Sequence, residues 1–143
     1  MNNLTKMSTL KPAHEAFEAF VDPGKIGNFW FSSSSGRWEA GKTFTLRYDE
    51  YQAQVEIAVK EVAANEKILF QWGGEANTVT ILFRDMGDSR TIVEINEEGF
   101  DENDPELLHK MIGNKEGWVY VLTCLKGYLE FGINRLRAGI VMD

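Results

Sequence analysis

The C-terminal part of the chain carries a helical pattern whose apolar face is unusually wide. Apolar side chains recur there at three- and four-residue steps, at Trp118, Leu122, Leu125, Leu129 and Ile133. Three more residues widen the same face: Val121, Cys124 and Tyr128. The polar residues are left as a single stripe, made of Glu116, Thr123, Lys126, Glu130, Asn134 and Arg137. We therefore predict a helix from about Asn114 to Arg135 that packs against a broad apolar surface.

Five alternating segments in the middle of the chain can supply that surface. Their apolar residues at every second position are Phe44, Leu46 and Tyr48; Ala53, Val55, Ile57 and Val59; Ile68, Phe70 and Trp72; Val79, Ile81 and Phe83; and Val93 and Ile95. Alternation with period two predicts strands that have one buried face, and the short, turn-rich connections predict an antiparallel meander. The first ten residues are expected to add an edge strand.

Two short helices are predicted between the edge strand and the meander. Lys11-Pro12-Ala13 opens the first helix, because proline is well tolerated in a first turn. Asp22-Pro23-Gly24 ends it and can start the second, whereas the serine-rich stretch 32–36 is expected to be a loop. Gly113-Asn114 is expected to interrupt the helical pattern just before the long helix. The order of elements predicts an α+β fold.

Composition limits the class of protein and its partners. A length of 143 residues predicts a single domain over 1–143, and a net charge of −7 with dispersed acids argues against a nucleic-acid partner. The lone Cys124 excludes an intramolecular disulfide and a cysteine-built zinc site. No membrane span and no signal peptide are recognisable, so we expect a cytoplasmic protein.

The sequence contains no recognisable catalytic constellation. The two histidines, His14 and His109, are isolated, which favours solvated surface over a metal site. Cys124 has no basic neighbour at helical spacing, which favours a buried structural thiol. An enzyme would need an acid–base group that faces inward, and the alternation offers no clear candidate. We therefore assign no catalytic residue, no metal site and no cofactor.

The remaining charged candidates have surface interpretations. Arg37, Arg47 and Arg84 are placed opposite the apolar strand faces, where solvation is favoured over binding of a ligand carboxylate. A second cluster, Glu97, Glu98 and Asp101, lies at a strand end. Its oxygens could bind calcium, but the spacing of a known calcium loop is missing.

The order of short motifs along the chain resembles a known family. The motifs are Pro12-x-x-x-x-Phe17, Asp22-Pro23-x-x-Ile26-x-x-Phe29-Trp30, Ala40-Gly41-Lys42-Thr43-Phe44, Thr91-Ile92-Val93-Glu94-Ile95, Glu98-Gly99-Phe100 and Gly117-Trp118-x-x-x-Leu122-x-x-Leu125-x-x-Tyr128-Leu129-Glu130. Together they resemble a START-like domain of the SRPBCC superfamily. The most similar group is that of the C-terminal domain of the activator of the ninety-kilodalton heat-shock protein ATPase. The resemblance covers about residues 4–132 and leaves 133–143 as a C-terminal tail, which either packs on a partner or hangs free.

The resemblance implies a helix-grip fold, in which a curved antiparallel sheet wraps around the long C-terminal helix. It also implies an apolar cavity between sheet and helix. The residues that match lining positions are Trp30, Phe44, Leu46, Val55, Ile57, Phe70, Trp72, Val79, Ile81, Trp118 and Leu122. The bulky aromatics among them fit a filled core equally well, because periodicity places the same residues inside in both cases.

Three functions are compatible with these expectations. The first is non-catalytic binding of a small hydrophobic molecule, such as a lipid, a sterol or a polyketide-like compound. The second, suggested by the resemblance, is a stress-response regulator that binds a heat-shock chaperone or associates with itself. The third is a cyclase or dehydratase that uses the same cavity.

Overall fold

The computed structural model describes residues 1–74 and 77–141. Its strands are β1 (Asn2–Thr9), β2 (Ser33–Ser34), β3 (Thr43–Tyr48), β4 (Ala53–Ala63), β5 (Lys67–Trp72), β6 (Thr78–Gly87) and β7 (Arg90–Glu98). Its helices are α1 (Ala13–Val21) and α2 (Leu107–Phe131), with single 3₁₀ turns at Ile26–Asn28 and Asp49–Tyr51. Within the described ranges the strands form one antiparallel sheet in the order β1-β7-β6-β5-β4-β3-β2. The predicted α+β helix-grip fold is confirmed.

The sheet is curved, and two irregularities contribute to its bending. The pairing register shifts between Val59 and Glu61 in β4 and between Asp85 and Gly87 in β6. An extra residue in one strand of an antiparallel pair bends that strand and increases its twist. The curvature gives the sheet the concave face that α2 covers.

The N-terminal elements follow the sequence pattern closely. Helix α1 begins after Pro12 and buries Ala16, Phe17 and Phe20, as its apolar spacing predicts. The second predicted helix is reduced to the 3₁₀ turn at Ile26–Asn28. Part of the serine stretch expected as a loop forms β2, which pairs with Arg47 and Leu46 at the edge of the sheet.

The bounds of α2 differ from the prediction at both ends. The helix begins at Leu107 and runs without a break through Gly113 and Asn114. A glycine inside a helix costs only about 1 kcal/mol, which packing against the sheet readily outweighs. The helix ends at Phe131 because Gly132 takes a left-handed conformation with φ 69°. The N–H groups of Gly132 and Ile133 then bond to the carbonyls of Tyr128 and Gly127, so the prediction that the helix reaches Arg135 was wrong.

Helix α2 also covers the edge strand β1. Asn3 Nδ2 donates to the carbonyl of Met111 and to Oδ1 of Asn114, at 2.9 and 3.1 Å. Farther along, Lys126 donates to the carbonyl of Ser8 at 2.9 Å, and Thr9 donates to Glu130 at 3.0 Å. These bonds fix the helix along β1 and use polar groups that an edge strand otherwise leaves open.

The core lies between α1, α2 and the concave face of the sheet. Its largest fully buried side chains are Trp38, Phe20, Phe29, Phe70, Ile26, Leu46, Ile57, Ile68, Ile81, Ile95, Leu122 and Leu125. Among the described residues, no helix has the length and apolar character needed to cross a membrane.

Candidate functional site

A cavity of about 710 Å³ opens between the N-terminal half of α2 and one end of the sheet. The ends of β3, β4 and β5, the segment around Trp30 and residues 140–141 complete its wall. Cavities of about 300–1,000 Å³ are typical of sites for small molecules and cofactors.

The wall of the cavity is rich in aromatic side chains. These are Trp30, Phe31, Tyr48, Tyr51, Trp72, Trp118 and Tyr120. Three indoles lie together: the centroid of Trp118 is 5.2 Å from that of Trp30 and 6.3 Å from that of Trp72, and the last two are 6.3 Å apart. The cavity therefore offers flat, polarisable surfaces to a ligand.

One buried carboxyl group faces into this aromatic site. Glu97 is only 3% exposed. Its Oε1 accepts hydrogen bonds from the indole Nε1–H groups of Trp118, at 3.0 Å, and Trp72, at 3.4 Å. Its Oε2 accepts a bond of 2.8 Å from Asn77 Nδ2. These donors reduce the cost of removing the carboxyl group from water.

Glu97 corrects two sequence-based expectations. The sequence pattern places it among the strand-end calcium candidates and offers no clear inward acid–base group, whereas the structure buries it in the cavity wall. The alternation of β7 already contained the signal, because Val93 and Ile95 face inward and the next residue on that face is Glu97. Glu97 is missed because only apolar residues are counted in the alternation, so that a charged residue at the next inward position is not recognised as buried.

Two glycines on α2 leave room for the cavity. Gly113 and Gly117 both line it, and a Cβ atom added at either residue would have no heavy atom within 4 Å. The following turns of the same helix carry the buried side chains of Leu122 and Leu125. The helix therefore fills the space above the sheet with its C-terminal half and leaves it open along its N-terminal half.

The segment after α2 closes one side of the cavity, where Ile140 and Val141 line the wall. Hydroxyl groups from three tyrosines hold it by donating to backbone carbonyls: Tyr48 to Arg137, Tyr51 to Ile140 and Tyr120 to Leu136. Residues 136–140 of the predicted tail are thus held against the rest of the chain by these bonds.

Arg137 anchors this closing segment. The sequence pattern places Arg137 on the exposed polar stripe of the helix. In the structure it is only 7% exposed, because the helix ends before it and the chain turns back. Its guanidinium donates to both carboxylate oxygens of Glu50, to the carbonyl of Trp30 and to Ser32 Oγ. These hydrogen bonds lower the pKa of Glu50 to about 2. The guanidinium also lies 5.0 Å from the ring centroid of Tyr48, whose pKa burial raises to about 12.

The structure divides the predicted lining residues into two groups. Trp30, Val55, Trp72 and Trp118 line the cavity. The others are buried in the core and are not part of the wall: Phe44, Leu46, Ile57, Phe70, Val79, Ile81 and Leu122. Large rings fill their part of the gap, with the centroid of Phe70 at 5.6 Å from Trp38 and 5.0 Å from Trp72. The cavity is thus confined to one end of the helix–sheet gap.

The other candidates stay outside the cavity or at its rim. His14 is exposed, and His109 is an exposed residue of the rim. Cys124 is buried, and burial raises the pKa of its thiol. The three arginines form surface ion pairs, Arg37 with Glu18, Arg47 with Asp49 and Arg84 with Glu94. In the part of the chain that the structure describes, no group of three or more His, Cys, Asp or Glu residues could hold a metal ion.

A curved antiparallel sheet that grips a long helix, with a cavity between them, defines a helix-grip protein. The family model described as activator of Hsp90 ATPase homolog 1-like protein matches residues 11–130. The chain belongs to this family, and the resemblance inferred from its motifs is confirmed. The closing segment 132–141 lies beyond the matched residues.

Solved structures agree with this assignment. The chain is similar to protein SSP2350 from Staphylococcus saprophyticus, with 49% identity over 96% of this chain and 98% of that chain and a TM-score of 0.86. It is 21% identical to DynU16, a protein of the dynemicin biosynthetic locus, with a TM-score of 0.82; the match covers 95% of this chain and 49% of DynU16. The Aha1 dimer from Colwellia psychrerythraea is 17% identical over 92% of this chain and 98% of that chain, with a TM-score of 0.79. The two more distant similarities show the fold alone. A search of curated proteins gave no match.

Proposed function

We propose that this protein binds a small, largely apolar molecule in the cavity between α2 and the sheet. The observation that carries the proposal is an aromatic-lined space of about 710 Å³ in a domain whose other inward side chains are closely packed. Gly113 and Gly117 line this space and add no side-chain volume to it. Lipids, sterols and polyketide-like molecules are the ligand classes that the family resemblance suggests.

A fluorescence titration tests the proposal directly. Trp30, Trp72 and Trp118 line the cavity, so a bound ligand changes their emission. A panel of sterols, fatty acids, flavonoids and polycyclic amines should contain a ligand with a saturable response. Native mass spectrometry of freshly purified protein should detect any ligand that purifies with it.

A matched pair of leucine variants locates the bound molecule. Gly117→Leu places a side chain in the cavity, whereas Val119→Leu enlarges an exposed residue of the same helix. Gly117→Leu should weaken binding at least about tenfold, since the ligand and the new side chain compete for space, and Val119→Leu should leave it unchanged. The absence of any saturable ligand, or equal effects of both variants, would rule out the cavity as the binding site.

A protein-binding role is a second candidate, and the outer face of α2 favours it. Leu108, Ile112 and Val119 share one helical face and are 74%, 57% and 40% exposed. The family name suggests a chaperone of the Hsp90 type as the partner. If this role is correct, Ile112→Ser should reduce stimulation of the chaperone ATPase while Gly117→Leu does not. No stimulation by the unmodified protein would remove the candidate.

A further inference from the structure

The buried carboxylate in the cavity has no cationic partner among the described residues. Its three hydrogen bonds come from neutral donors, the two indoles and the amide of Asn77. Three cations of the sheet and the closing segment pair with other acids: Arg84 and Lys6 with Glu94, and Arg137 with Glu50. An ionised carboxyl group has about four acceptor sites, so the three donors leave Glu97 able to accept another hydrogen bond.

The wall around Glu97 is also suited to a positive charge. The described lining residues include no lysine or arginine, and the rest of the chain, Glu75, Ala76, Met142 and Asp143, supplies neither. Among the described lining residues, the acidic ones are Glu97 and, at the exposed rim, Glu116. Trp72 and Trp118 bond to Glu97 through their N–H edges, and the ring of Trp30 packs against both indoles. Aromatic surface that could contact an organic cation therefore lies beside the carboxyl group.

We propose that the cavity selects an aromatic or polycyclic amine, whose ammonium group binds Glu97 while its rings lie against the three tryptophans. This inference rests on the proposed binding function and narrows its ligand class. The ammonium N–H would donate a charge-assisted hydrogen bond to the carboxylate, in surroundings where water screens the pair poorly. A ligand carboxylate would instead meet Glu97 without a compensating cation, so fatty acids and other acids are disfavoured.

Three pyrene derivatives of similar size separate the contribution of charge from that of apolar contact: pyrenylmethylammonium, pyrenylmethanol and pyrenecarboxylate. Energy transfer from the cavity tryptophans to pyrene reports binding of each. We expect the ammonium compound to bind about tenfold more tightly than the alcohol, because a hydrogen bond between two charged groups is stronger than one from a neutral hydroxyl. The carboxylate should bind more weakly than the alcohol.

Two variants that each remove one carboxyl group test which residue causes the preference for the ammonium compound over the alcohol. Glu97→Gln should reduce the preference for ammonium over alcohol to about twofold or less, because the charge is removed while the shape is kept. Glu98→Gln removes an exposed carboxylate on the residue next to Glu97, outside the cavity wall, and should keep the preference. Near-ultraviolet circular dichroism and thermal melting check that each variant is folded, and the comparison in the unmodified protein requires no variant.

The outcomes distinguish the two proposals. Equal binding of ammonium and alcohol, or tighter binding of the carboxylate, would overturn the amine inference and leave the binding function in place. An undiminished ammonium preference in a folded Glu97→Gln variant would overturn the role of Glu97. If no pyrene compound binds and the wider panel is also inactive, the binding function fails together with the inference.

Discussion

Trp118 of α2 donates its indole Nε1–H to Oε1 of Glu97 in β7, across 3.0 Å. This buried bond joins the helix to the sheet at the wall of the cavity. The same ring lies 5.2 Å from Trp30 and 6.3 Å from Trp72, measured between centroids. One side chain therefore contributes to the packing of the domain and to the chemistry of its candidate site.

Replacement of Trp118 should separate these two contributions. Trp118→Ala removes a large buried ring and should lower the free energy of unfolding by about 3–5 kcal/mol. Trp118→Phe keeps most of the apolar contact but removes the N–H donor, so its loss should be smaller. Urea denaturation measures both variants, and a loss below about 1 kcal/mol for Trp118→Ala would contradict its burial.

Substitutions at Gly117 should affect stability and ligand binding separately. Gly117→Ala should stabilise the domain by about 0.5–1 kcal/mol, because alanine favours the helix and its Cβ meets no other atom. Gly117→Leu should weaken ligand binding without a matching loss of thermal stability. A similar loss of thermal stability in both variants would show that the helix tolerates no side chain at residue 117.

The Arg137–Glu50 pair should make the closing segment sensitive to acid. The pKa of Glu50 is lowered from 4.5 to about 2 by its hydrogen bonds with Arg137. The pair therefore contributes stability that is fully present above about pH 4.5 and is lost as the pH falls toward 2. The difference in melting temperature between the unmodified protein and Glu50→Gln should shrink across this interval. A difference in melting temperature that does not change with pH would show that the Arg137–Glu50 pair does not make the stability sensitive to acid.

Arg137 itself should hold the segment in place at neutral pH. Arg137→Met keeps an apolar stem but removes every guanidinium hydrogen bond, and it should cost about 2–3 kcal/mol. Hydrogen exchange should accelerate within residues 133–141 more than in β5 or β6. Arg135→Met, at an exposed position of the same segment, provides the control.

Cys124 should react slowly with alkylating agents in the folded protein. Its thiol is buried and burial raises its pKa, so little thiolate is present near neutral pH. Labelling in urea provides the reference rate. A native rate close to that reference would show that the thiol is accessible.

The sequence patterns predicted the elements more reliably than their ends. Alternation located β3 to β7, and apolar spacing located α1 and the buried face of α2. Local signals did not predict that α2 continues through Gly113, because its bonds to Asn3 come from a strand far away in the sequence. The end of the helix at Gly132 has a local sequence signal, a glycine that can take a left-handed conformation. Apolar residues continue beyond it to Ile133, so the apolar spacing alone predicts a longer helix.

The candidate site was harder to predict, because periodicity assigns a face and not a position along it. Trp30, Val55, Trp72 and Trp118 line the cavity, and the other seven predicted residues are buried in the core, some of them directly beside the wall. Two glycines of α2 and a chain segment after the helix also line the cavity. Neither contributes to the apolar alternation from which the lining was inferred.

Gly113 and Gly117 have a consequence for how this chain can change over generations. Both residues are helical, neither requires a backbone that excludes side chains, and both face free space. A single codon change at either position would add a side chain at the wall of the cavity, and its Cβ would meet no neighbouring element. Substitutions at such positions can change which ligand fits the cavity one mutation at a time. They do not require compensating mutations in the core.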